Sequence, residues 1–173
     1  FQWRPDDNNS VTAQLLFSDT TGRFVRDGAR QAWAASADLY HQVAKYDAEL
    51  LFRNIGSGFR ADNGFIPQAG YRHYEANGGL RYFPEHGFFR FVRPYAWGNY
   101  ETDQSGRTLL RNLFPGIYAE GKHNLALGLG LHTGESGRVG DRLLTSSFAR
   151  VSVSRDPGGW IPHLEAAMQW GER

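Results

Sequence analysis

The sequence predicts an all-β protein: an antiparallel up-and-down transmembrane β-barrel, or a partial barrel of about nine strands cut from a larger one. Three observations support this fold class. Apolar residues alternate with polar or small ones, the predicted strands are longer than those of most globular sheets, and long links alternate with short ones. We treat residues 1–173 as a single domain and expect it to be a fragment of a longer chain.

Leucine occupies every second position in the stretch LALGLGL, residues 125–131. A period of two predicts a β-strand with one apolar face. The residues between and after the leucines are Ala126, Gly128, Gly130 and His132. A soluble sheet would place water-facing polar residues there, whereas small residues suit a face crowded by arginine side chains from neighbouring strands. We therefore expect the leucines to contact lipid.

Strand periodicity is present in nine segments: 10–18, 32–44, 46–54, 71–83, 88–102, 108–119, 124–132, 143–154 and 160–171. In the last segment an apolar stripe runs from Trp160 to Trp170, a predicted height of about 25 Å between aromatic ends. Segments 88–102 and 108–119 each contain two rival apolar stripes, so their outward faces stay open.

The predicted links alternate in length along the chain, with long stretches at 19–28 and 55–70 and a longer one at 133–141. In an up-and-down meander, alternate links lie on the same rim. Outer-membrane barrels combine short turns on one rim with longer loops on the other. An odd count of nine does not fit the even strand numbers of bacterial barrels, so we expect either a longer barrel or one strand overlooked.

Composition narrows the function classes. The formal net charge of +1 gives no reason to expect a nucleic-acid partner. Only two of the 19 basic residues are lysines, Lys45 and Lys122, and the others are arginines, which suit ion-pair networks in partly desolvated places. The chain has no cysteine, which excludes disulfides and thiolate metal sites.

The long link and the strand after it, residues 59–85, read FRADNGFIPQAGYRHYEANGGLRYFPE. The pieces FRAD, GFIP and YR resemble the conserved segment of an uncharacterised bacterial family, the domain of unknown function numbered 5916. The resemblance implies an outer-membrane barrel similar to porins or TonB-dependent proteins, a frequent preceding carbohydrate-binding module of the family-nine type, and handling of glycans. It supplies no catalytic residues.

Two groups of residues are candidate sites. The first is a polar cluster on the interior face, made of His73, Glu75, Arg81, His163 and Glu165. Histidine and carboxylate side chains at alternate positions are able to exchange protons or bind a metal, and they also pair with arginine in barrel interiors. The second is the long loop, with Arg60, Asp62, Phe65 and Tyr71. We expect no cofactor.

The leading hypothesis is a Gram-negative outer-membrane β-barrel, porin-like or transporter-like, for passage or binding of a small solute, of which a saccharide is one candidate. Its partners are then membrane lipid and that solute. The alternatives are a soluble all-β ligand- or carbohydrate-binding domain and an outer-membrane hydrolase. For a hydrolase, the sequence offers His163 with Ser146, Ser152 or Ser154, but nothing in it fixes their geometry, and an enzyme is the less favoured reading.

Overall fold

The structure, a computed structural model, describes residues 1–19, 31–60, 68–158, 160 and 163–172. Its strands are β1 (Gln2–Asp6), β2 (Asn9–Asp19), β3 (Gln31–Gln42), β4 (Tyr46–Ile55), β5 (Tyr71–Leu80), β6 (Phe89–Asp103), β7 (Thr108–Gly121), β8 (Leu125–Val139), β9 (Arg142–Arg155) and β10 (Leu164–Glu172). One short 3₁₀ turn at Lys122–Asn124 joins β7 to β8. In the described part of the chain, no helix has the length and apolar character needed to cross a membrane.

The strands form one antiparallel sheet in which every strand pairs with its neighbours in the sequence, in the order β1 to β10. This confirms the all-β, up-and-down fold class. The described residues form ten strands rather than nine, so the prediction overlooked one strand. Within the described residues, β1 and β10 are the two edges of the sheet and do not pair with each other.

The overlooked strand is β1, which has five residues and contains Pro5. A short segment with a proline carries little periodic signal, which explains the omission. It folds back on β2 through a turn built by Asp6, whose carboxylate accepts the backbone N–H of Asn8 at 2.7 Å and the Asn9 amide at 2.8 Å. This is a common way for aspartate to close a turn.

The predicted longer link at 133–141 is wrong. Strand β8 continues to Val139, and only Gly140 and Asp141 separate it from β9. Pairing with β9 is interrupted between His132 and Glu135, where Gly134 takes a positive φ of 61°. A bulge therefore carries the strand through a glycine-rich sequence that reads as a loop. The sorting of long and short links by rim consequently does not extend to this end of the sheet.

The apolar stripe predicted from Trp160 to Trp170 is also shorter than expected. Trp160 lies in the turn before β10, which begins at Leu164. The stripe in β10 therefore consists of Leu164, Ala166, Met168 and Trp170.

Residues that pair directly across strands share a face, and the register divides the sheet into two chemically distinct faces. The apolar face includes Leu15, Trp33, Leu39, Leu50, Tyr74, Leu80, Ala96, Tyr100, Leu113, Ile117, Leu129, Val151, Met168 and Trp170. The polar face includes Gln14, Asp38, Asp47, Glu49, Arg53, His73, Glu75, Asn77, Arg93, Trp97, Asn99, Glu101, Asn112, Glu120, Arg150, Glu165 and Gln169.

The register also settles the two strands whose faces the sequence leaves open. In β6, Pro94, Ala96 and Gly98 lie on the apolar face, because Gly98 pairs with Ala76 and Ala76 with Leu50. In β7, Leu113 and Ile117 lie on the apolar face. Pro115 lies between them, in the stretch from Arg111 to Gly116 where pairing with β8 is interrupted. A missing N–H donor is tolerated at such a break.

No conventional hydrophobic core is present in the described residues. Their only buried apolar side chains are Ala34, Phe59 and Ala119. Most leucines of the apolar face are exposed, and Leu50 is 53% exposed, while Leu125 and Leu127 on β8 are partly buried. The fold thus leaves its largest apolar surface without a covering layer from the described part of the chain.

Candidate functional site

The polar face is the more enclosed side of the sheet. The side chains of Asp47 and Arg93 are 13% and 19% exposed, whereas Leu50 and Leu129 on the apolar face are 53% and 45% exposed. In a water-soluble sheet the charged side chains would be the accessible ones. At the centre of the sheet the burial pattern is therefore inverted, and this part of the polar face is the surface on which a functional site is expected.

At the centre of this face, His73 lies between two carboxylates. Its Nε2 is 3.2 Å from Glu75 Oε2, and its Nδ1 is 3.3 Å from Glu101 Oε2 on β6. The other oxygen of Glu75 accepts the indole N–H of Trp97 at 2.7 Å. The pair His73 and Glu75 was predicted from β5 alone, and the structure adds two partners from β6.

Beside this group, Glu75, Asn99 and Asn112 form a row across β5, β6 and β7, because Glu75 pairs with Asn99 and Asn99 with Asn112. The Oδ1 atoms of both asparagines are buried and have no hydrogen-bond partner among the described residues. Buried amide oxygens usually have a partner. The row is therefore a set of hydrogen-bonding groups with unused capacity.

A second charged contact lies along the same strands toward the other rim. Arg93 donates from Nε to Asp47 Oδ2 at 2.9 Å and from Nη2 to the other oxygen, Oδ1. The guanidinium crosses β5 over Gly79, where a Cβ would meet Arg93 Nε at 2.7 Å. An interior arginine paired with a carboxylate is the arrangement that the arginine-rich composition indicates.

Of the small residues opposite the leucines of β8, Gly130 is covered by an aromatic ring and Gly128 faces the Ser152 hydroxyl, and neither is covered by arginine. Phe114 lies over Gly130, and a Cβ on that glycine would overlap the ring. The rings of Phe114, His132 and Phe148 stack across β7, β8 and β9, with centroid distances of 4.1 and 3.9 Å. Neighbouring side chains do crowd this face at the two glycines, but they are Phe114 and Ser152 rather than the predicted arginines.

Arg81 lies apart from His73 and Glu75, just beyond the end of β5. It donates from Nη1 to the carbonyl oxygen of Val43 at 3.2 Å. Its guanidinium carbon is 5.6 Å from the ring centre of Phe83 and 6.0 Å from that of Phe91. These contacts hold Arg81 against the turn between β3 and β4.

His163 and Glu165 lie at the far edge of the sheet and are about half exposed. Nδ1 of His163 is 2.6 Å from Asp156 Oδ1, and this hydrogen bond raises the pKa of the imidazole above its usual value. Glu165 is 3.9 Å from Arg150 Nη2. The five residues predicted as one polar cluster are therefore distributed over three places, on β5, beyond its end, and at β10.

The candidate loop is described only in part. The backbone N–H of Arg60 donates to Ser18 Oγ at 3.2 Å, and Tyr71 is the first residue of β5. Asp62 and Phe65 lie outside the described residues. Sequence reasoning missed Gln104, whose amide donates to Asn54 Oδ1 and to the Ile55 carbonyl oxygen, both at 2.9 Å. Gln104 thereby ties the turn after β6 to the base of the loop.

Of the catalytic arrangements considered from the sequence, His73 and Glu75 lie within 3.2 Å of each other, whereas the metal site and the serine–histidine arrangement are not assembled in the described part of the chain. No three histidine or carboxylate side chains there converge in a way that would hold a metal ion. The hydrogen bonds of His163 join it to Asp156 and to none of Ser146, Ser152 and Ser154 in these described segments.

The site residues that sequence reasoning missed are Glu101, Trp97, Asn99, Asn112, Asp47 and Arg93. For the missed residues of β6, the sequence feature that could have revealed them is a charged residue, Arg93, inside an aromatic stripe. An arginine is costly on a lipid-facing stripe, so its presence favours assigning the whole stripe to the polar face.

Comparison with protein-family models, with curated proteins and with solved structures finds no match for this chain.

Proposed function

We propose that this chain forms part or all of the wall of an outer-membrane β-barrel. Its apolar face contacts lipid, and its polar face lines an interior that passes or binds a small polar solute. The observation that carries the proposal is the inverted burial. At the centre of a ten-stranded sheet, the charged side chains of Asp47 and Arg93 on one face are less exposed than leucines such as Leu50 and Leu129 on the other.

Contact with lipid would remove the apolar face from water. Burying apolar surface contributes about 25 cal/mol per Å², and large exposed apolar patches in soluble proteins mark contacts with a partner or a membrane. Here the exposed apolar side chains recur on strand after strand, from Leu15 on β2 to Met168 on β10. A hydrocarbon environment accommodates all of them at once.

The apolar face has the height expected of a lipid-facing band. On β4 it begins at Tyr46, and just beyond the other end the N–H of Gly56 donates to the carbonyl oxygen of Trp33. Ten residues at about 3.3 Å each give about 33 Å along the strand, or about 25 Å along the membrane normal at a tilt of about 40°. Exposed aromatic side chains, Trp33 and Tyr46, mark its two ends.

In a bilayer the edges of β1 and β10 need partners, because an unpaired backbone group in hydrocarbon costs several kcal/mol. The proposal therefore requires that both edges are paired in the inserted state. The alternative of a soluble binding domain requires a second layer over the apolar face, which the described residues do not provide. The resemblance of residues 59–85 to the domain of unknown function 5916 remains a prediction.

Reconstitution tests the proposal. The protein is refolded into phosphatidylcholine vesicles, floated on a density gradient and treated with alkaline carbonate, and its migration in a detergent gel is compared with and without boiling. We expect flotation, resistance to carbonate extraction and a heat-dependent shift. A protein that stays monodisperse in detergent-free buffer, does not float and shows no heat shift would overturn the proposal.

A further inference from the structure

We propose that the row of Glu75, Asn99 and Asn112 is a binding site for a neutral polyhydroxylated solute, that is, a saccharide. The inference rests on the proposed function, because it places the site on the interior of a membrane barrel. It goes further by naming the class of solute.

The three residues of the row lie side by side on adjacent strands. The three residues pair directly on adjacent strands, so their side chains leave the same face at the same height. Adjacent strands are about 4.8 Å apart, so the row offers hydrogen-bonding groups over about 10 Å. A ligand that uses all three must itself carry polar groups distributed over that length, as a sugar of one or two rings does.

The groups left without a partner in the row are side-chain amide oxygens. The buried Oδ1 atoms of Asn99 and Asn112 have no hydrogen-bond partner among the described residues. An amide is uncharged and offers both an acceptor and two donors, and a hydroxyl likewise donates and accepts. An amide pair therefore matches hydroxyl groups, whereas it supplies no charge to neutralise an ion.

The charged side chains in and beside the row already have partners. Glu75 accepts the indole N–H of Trp97 and faces His73, and Glu101 faces the other nitrogen of His73. The lone pairs that remain on these carboxylates are suited to accepting hydroxyl hydrogens. A strongly cationic ligand would have to compete with His73 for the same oxygens.

An apolar surface lies beside the row. Trp97 and Phe114 pair with each other two residues along the same strands, about 6.6 Å away, on the same face. Sugar rings combine hydroxyl groups with C–H faces, and the latter pack on aromatic side chains. A polar row next to an aromatic pair fits this mixed chemistry better than it fits a fully polar ion.

The test is isothermal titration calorimetry of the protein folded in lauryldimethylamine oxide, a detergent without a sugar headgroup. The titrants are glucose, galactose, sucrose, maltose and lactose, with putrescine as a cationic probe. The doubly substituted N99L/N112L protein removes the amides. Q14L is the matched control, since Gln14 is an exposed residue on the polar face of β2, three strands away from β5.

We expect at least one saccharide to bind, N99L/N112L to weaken it about tenfold or more, and Q14L to leave it unchanged. The inference is overturned if no saccharide binds, if N99L/N112L binds as the parent does, if Q14L weakens binding equally, or if putrescine binds and the sugars do not. Flotation and the heat shift are measured on the same preparations, so a failure of membrane insertion is seen separately.

A second readout covers the case in which N99L/N112L does not fold. In a chain whose other four tryptophans are replaced by phenylalanine, Trp97 reports on the site directly. We expect its fluorescence to change with the saccharide in a saturable way. A spectrum that is unchanged at every saccharide concentration would contradict the inference.

Discussion

Arg93 on β6 and Asp47 on β4 form an ion pair through two hydrogen bonds that crosses β5 above Gly79. Asn77 on β5 accepts a third, longer contact of 3.4 Å from the same guanidinium. One arginine thus links three strands on the polar face. The arrangement depends on a glycine at position 79, because any side chain there would occupy the space of the guanidinium.

The first prediction follows from this pair. Replacing Asp47 with Asn leaves a partly buried guanidinium without its carboxylate, and we expect the free energy of unfolding to fall by about 1–3 kcal/mol. The measurement is urea unfolding in lipid vesicles. Arg107 is the control, since its side chain is 53% exposed and pairs with Asp103, so R107M should cost no more than about 1 kcal/mol. Equal losses for the two variants would contradict the prediction.

The second prediction concerns Gly130. A Cβ at this position overlaps the ring of Phe114, so G130A should force the ring to move and destabilise the protein by about 1–3 kcal/mol. Adding F114A should recover part of that loss. The matched control is G137A, where the nearest atom to a new Cβ is Leu110 Cδ1 at 4.0 Å. The three proteins are compared by the same urea titration, and a G130A protein as stable as G137A would refute the packing described for this face.

The third prediction concerns pH. Asp156 raises the pKa of His163 above its ordinary value of 6.5 through their hydrogen bond. A raised folded-state pKa means that the pair stabilises the fold below the unfolded-state pKa, and that this contribution is lost as the pH rises through the folded-state pKa. An NMR titration of the His163 imidazole should show a raised pKa in the parent chain and a lower one in D156N. An identical pKa in both proteins would remove the role given to Asp156.

The fourth prediction separates lipid from water at the apolar face. Leu129 lies in the middle of the stripe on β8 and is 45% exposed. An arginine at the bilayer midplane costs about 2–4 kcal/mol, whereas the same change at a water-exposed position is usually within about 0.5 kcal/mol. We therefore expect L129R to lose stability in vesicles while Q14R, on the polar face, does not. Small and equal effects would argue for a solvated face.

Local periodicity was sufficient to predict most of the sheet. Strands β4 and β5 alternate over most of their length, and their bounds follow from the sequence within a few residues. The ends of the chain were harder, since β1 is short and Trp160 precedes its strand rather than belonging to it. The stretch after His132 reads as a loop because its glycines hide a bulge.

The candidate site was less predictable, because its partners come from different strands. His73 and Glu75 share a strand and were recognised, but Glu101 and Trp97 meet them only through the register of β5 with β6. His163 and Glu165 have the same residue types and the same spacing as His73 and Glu75. His163 nevertheless pairs with Asp156 at the edge of the sheet. Residue type and spacing on one strand therefore indicate a polar face and do not determine which side chains meet.

The central claim is that the apolar face contacts lipid and the polar face does not. The most direct measurement is fluorescence quenching by brominated phosphatidylcholine in two single-tryptophan proteins. One keeps Trp97 on the polar face, and the other carries L129W with the five natural tryptophans replaced by phenylalanine. We predict strong quenching of the tryptophan at 129 and little quenching of Trp97. Equal quenching of both, or quenching of Trp97 alone, would contradict the account.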